Sequence, residues 1–105
     1  MKRYKREEVC LIATKLGLPE IPISWEGIDY VVPILEKIKN EGGVIIIKFD
    51  GERNAKEDNG SYTIMMSDSK ISDGFFRIDS TSLEDGLAEV IVMYADQVWG
   101  MKREH

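Results

Sequence analysis

The sequence predicts an α+β domain in which helices pack on a small antiparallel meander of three strands, four at most, in the order ααβββα. Three observations carry this. Residues 83–99 have apolar side chains at helical spacing on two stripes. Residues 44–50 open a β-branched, apolar run that two further strand-like segments follow. Gly17 with Pro19, and then Gly42 with Gly43, stand where two earlier helices should stop.

The first helix is expected over residues 5–16, with Val9, Ile12, Ala13 and Leu16 on one side and Gly17 as its left-handed cap. Residues 1–6 before it, rich in Lys and Arg, read as a basic flexible arm. Two prolines between residues 19 and 22 make the following stretch an extended connector. A second helix is expected over about residues 30–40, capped by Asp29, with Pro33 in its first turn and Ile28 as a hydrophobic staple. Val31, Ile34, Leu35 and Ile38 supply its core face.

Strands are expected over residues 44–50, 61–67 and 75–79. A highly charged hairpin loop over residues 51–60 joins the first two, long for such a connection. Alternation places Ile45, Ile47 and Phe49 with Tyr62, Ile64 and Met66 on one face. Val44 and Ile46 fall on the other, with Met65 and one of Phe75 or Phe76. Neither face is cleanly polar, so either the first helix or another chain covers the second one. The last helix opens at Ser80-Thr81-Ser82, where Thr81 with Glu84 or Ser82 with Asp85 suits a capping box. Its stripes are Leu83, Leu87, Val90, Ile91, Tyr94 and Val98, and, roughly 100° away, Ala88, Val92, Ala95 and Trp99. A helix apolar on two sides lies between two layers or keeps one side for a partner.

At 105 residues the chain is one domain, residues 1–105. No uninterrupted apolar run, residues 44–47 included, is long enough to span a membrane, and the N-terminus is not expected to be a secretory signal. The single cysteine, Cys10, fits a cytoplasmic protein. The net charge of −5 disfavours phosphate binding and suits a basic protein partner. Residues 12–18 resemble the first helix and turn of helix-turn-helix domains. Pro19-Glu20-Ile21-Pro22 stands where the recognition helix would follow, so nucleic acid is not the expected partner.

No catalytic constellation emerges, and the expectation is a non-enzyme without cofactor or metal. His105 is terminal, and Cys10 has no activating histidine. The acidic residues lack calcium-loop spacing. The expected function is a small acidic interaction module, similar in general character to bacterial immunity proteins and antitoxins that occlude a basic partner. Glu52, Arg53, Glu57, Asp58, Asp68, Asp73 and Trp99 are its candidate partner-binding residues. Two alternatives remain. One is a ligand-binding domain or enzyme with Asp50, Tyr62, Arg77 and Tyr94 in a pocket between sheet and helices. The other is a homodimeric subunit that buries the second apolar face. Arg77 shares its sheet face with Phe75 and Asp79, so it is expected to pair with Asp79 or Asp50 unless a ligand takes it.

Overall fold

A computed structural model of the chain describes residues 2–52 and 60–101. Helix α1 spans Lys2–Lys15, helix α2 Val32–Asn40 and helix α3 Leu83–Gln97; strands β1, β2 and β3 span Val44–Phe49, Tyr62–Ser67 and Phe75–Ser80. The class and order are those expected, an α+β fold with an antiparallel β1-β2-β3 meander. The sheet has three strands, and no fourth joins it among the described residues.

Helix ends follow glycine chemistry. Gly17 and Gly42 both take positive φ, +73° and +99°. At each, a paired set of backbone bonds closes the helix: Leu18 N–H to Ala13 O with Gly17 N–H to Thr14 O, and Gly43 N–H to Ile38 O with Gly42 N–H to Lys39 O. Helix starts depart more from expectation. The α1 helix begins at Lys2, so the residues read as a basic arm form its first turns. Lys5 pairs with Glu89 at 3.2 Å, and the Arg6 guanidinium lies over the Trp25 ring while donating to the Trp25 carbonyl. Asp29 does not cap α2. It begins a 3₁₀ turn over Asp29–Val31, and Pro33 then sits near the start of α2, where a missing N–H breaks nothing. At α3, Ser82 is the cap, its hydroxyl accepting from Asp85 N–H at 3.2 Å.

Helix α3 packs on β2 and β3 on one side and on α1 on the other, while α2 lies along β1. This explains the two apolar stripes. Leu87, Val90, Ile91 and Tyr94 are fully buried, and so are Ala88, Val92 and Ala95 or nearly so. Trp99, the last residue of the second stripe, turns instead to Tyr94 and Glu41. Register sets Ile64 opposite Ile47 and Ile78, and Met66 opposite Ile45 and Phe76. Ile64, Met66 and Phe76 are buried in the core. The opposite face carries Val44, Ile46, Met65, Phe75 and Arg77 by the same alternation. Of the two expected covers for this face, the first helix is corrected: α1 packs on α3 instead.

Candidate functional site

The outer sheet face begins with residue parity. Val44, Ile46 and Lys48 on β1, Thr63, Met65 and Ser67 on β2, and Phe75, Arg77 and Asp79 on β3 share it. Val44 is 51% exposed, Ile46 49% and Phe75 52%, with half-buried Met65 between them. Ile46 stands opposite Met65, and Val44 and Phe75 lie diagonal to it from the two outer strands, so the exposed apolar groups gather around one methionine, unlike the single exposed leucine that any protein shows. Its polar groups are largely satisfied within the chain. Arg77 lies 3.4 Å from the Asp79 carboxylate, and the Thr63 hydroxyl donates to the same oxygen at 2.7 Å.

Beside this face runs a groove of about 510 Å³ between α2 and the open edge of β1. Val32, Leu35, Glu36, Lys39, Gly43, Val44, Ile45 and Ile47 line it. The sequence showed the apolar alternation of β1 and offered its Val44–Ile46 face to a homodimer, but not this groove. The groove depends on how α2 lies against β1, which no local pattern encodes.

The residues singled out in sequence scatter. Asp68 and Asp73 lie by the β2–β3 turn. Glu52 follows β1 at the other end of the sheet, where its N–H bonds the Asp50 carboxylate at 3.0 Å. Six residues per strand put these ends about 20 Å apart, so the described acids form no single patch. Arg53, Glu57 and Asp58 lie outside the described residues. Of the four pocket candidates, Arg77 is on the outer face and Tyr62 stacks edge-on against Phe49 at 5.2 Å. Asp50 pairs with Lys48 at 3.5 Å, and Tyr94 is fully buried. They do not converge.

Three candidates from different readings do meet. The Tyr94 hydroxyl donates to Asp68 at 2.8 Å, and the Tyr94 ring packs edge-on against Trp99 with centroids 5.0 Å apart. Lys70 gives Asp68 its backbone N–H at 2.9 Å and its ammonium at 3.1 Å. Trp99 donates to Glu41 at 2.8 Å, and Lys37 pairs with the same carboxylate at 2.8 Å. The Lys70 N–H, outweighing desolvation, holds the Asp68 pKa below its usual range, with Tyr94 assisting. Bonds from Lys37 and then Trp99 lower that of Glu41. Burial first, and then the bond to Asp68, raise that of Tyr94. Its buried pair, Tyr94 and Asp68, is bonded internally, and the partly exposed Lys37, Glu41 and Lys70 pair around it, so the cluster ties the end of α2, the turn after β2 and α3 together. Burial raises the Cys10 thiol and keeps it protonated. Among the described residues no three His, Cys, Asp or Glu side chains gather to hold a metal ion.

No protein-family model matches the chain, and no curated protein or solved structure is significantly similar to it.

Proposed function

We propose that this chain is a protein-interaction module whose working surface is the outer face of its sheet. The observation that carries the reading is the apolar set Val44, Ile46 and Phe75, half exposed on a face that no described helix covers. Fully burying one such side chain contributes roughly 1.5–3 kcal/mol. Three half-exposed groups therefore hold back several kcal/mol that a partner's surface would recover. The buried cluster around Asp68 and Tyr94 holds the scaffold and leaves the contact to the sheet.

An immunity-type role, in which a small acidic chain occludes a basic protein, falls within this reading. The net charge of −5 would steer such a partner from a distance, and the apolar face would hold it on contact. The Arg77–Asp79 pair and Lys48 give that face a mixed polar margin.

Affinity capture from the source organism tests it with two single substitutions. Phe75→Asp places a charge on the face, and Ile23→Asp does the same at an exposed apolar residue of the connector. The reading predicts one stoichiometric partner retained by the unaltered chain and by Ile23→Asp, and lost with Phe75→Asp. Capture indifferent to Phe75→Asp would refute the assignment of the surface.

A further inference from the structure

Strand β1 is bonded on one side by β2 and is open on the other among the described residues. The direction of its backbone groups follows from one bond. Asp50 N–H reaches Ser61 O at 2.7 Å, in register with the β1–β2 ladder. Alternation then turns residues 44, 46 and 48 toward β2 and leaves the N–H and C=O of Ile45, Ile47 and Phe49 facing the open side. Among the described residues this edge carries few of the usual protections. The strand has no proline, its register runs without a bulge, and its one charge is Lys48. The Ile45 and Ile47 side chains enter the groove beneath Val32 and Leu35 of α2. The slot thus offers strand bonds below and an apolar wall beside them.

We infer that this slot receives β1 of a second copy of the chain, antiparallel about a two-fold axis through Ile46, to make a continuous six-stranded sheet. The inference goes beyond the binding role of the outer face and does not depend on it. In this register Ile45 and Ile47 exchange backbone bonds with Ile47 and Ile45 of the second copy. Ile46 meets its own equivalent, and Lys48 stands opposite Val44, so no charge opposes its like. The groove rim carries Glu36 and Lys39, ion-paired at 2.9 Å. The two charges cancel within each copy, so neither copy brings a net charge to the rim. Along this edge Glu36, Lys39, Lys48 and Asp50 balance, although the whole chain is at −5, so copies approaching here meet little repulsion. The pairing is isologous: each copy spends its β1 edge on the other's, so this contact closes at a dimer.

Light scattering on the eluting full-length chain across a wide dilution series tests the inference, with three variants. The unaltered chain is expected at dimer mass, dissociating on dilution. Ile47→Pro removes an N–H that faces the open side and leaves the β1–β2 ladder whole; it should be a monomer with native circular dichroism and a cooperative melt. Val32→Glu charges the groove from α2 without touching the strand, and should also be a monomer. Phe75→Asp, on the far strand, should remain a dimer. An unaltered chain that is monomeric throughout overturns the inference, while capture of a partner by the outer face would be untouched. A dimer that survives both Ile47→Pro and Val32→Glu, or is lost with Phe75→Asp, places the contact elsewhere and overturns it as well.

Discussion

The bond from Tyr94 to Asp68 joins a helix in the middle of the fold to the turn after β2, across 26 residues of chain. Both side chains are buried, so losing the hydroxyl strands a carboxylate oxygen. Tyr94→Phe should therefore cost roughly 1.5–3 kcal/mol in chemical denaturation, the scale of a bond to a charged group. The pH dependence carries a second signature. The Tyr94 pKa is raised in the folded state, so its contribution is complete below the unfolded value of roughly 10 and fades as pH climbs past it. The unaltered chain should lose stability above that pH, and Tyr94→Phe should flatten this alkaline limb. The carboxylates run the other way. Asp68, Glu41 and Glu84 are all depressed, so their contributions hold above the unfolded carboxylate range and are lost as pH falls through their lower folded values. Asp68 and Trp99 were legible as notable residues, and so was Tyr94, but not as one cluster. A loop aspartate beside Ser and Lys looks solvated, and nothing local announces a tyrosine one helix away.

Elements were legible where a residue type determines backbone shape. Gly17 and Gly42 mark helix ends because side chains rarely tolerate the conformation they adopt. Gly60 carries the same logic further. Its φ is +122°, and a Cβ there would lie 2.3 Å from the Ser80 carbonyl oxygen. Gly60→Ala should thus cost at least the roughly 1–3 kcal/mol of a strained backbone, read as a lowered denaturation midpoint. Helix starts were harder to read. The first turns of α1 hold basic residues without an apolar stripe. Their anchors are Trp25, 19 residues away, for Arg6 and Glu89 in α3 for Lys5. Asp29 has the right side chain for a cap, but the tight 3₁₀ turn moves the start of α2 beyond its reach.

At the scale of the molecule the layers run sheet, α3, α1, and the order decides what stays open. The sequence showed two unmet needs, a second stripe on the last helix and a second apolar face on the sheet. Only one helix was left to meet them. The small residues Ala88, Val92 and Ala95 leave room for α1, and α1 goes there. Among the described residues the outer face stays uncovered as a result, and the β1 edge is open beside it, the one apolar and the other shaped for a strand. Which of the two needs α1 would meet depended on packing between distant segments, and single-sequence periodicity does not rank such contacts. The binding role of the outer face is tested most directly inside the cell by a photo-cross-linking phenylalanine analogue placed singly at Phe75, Ile46 and Leu11. The account predicts adducts to a different protein from Phe75, adducts to that protein or to a second copy of the chain from Ile46, and none from Leu11, which is exposed on α1 at the far side of the layers. Adducts from Leu11 alone, or none from either sheet position, would contradict it.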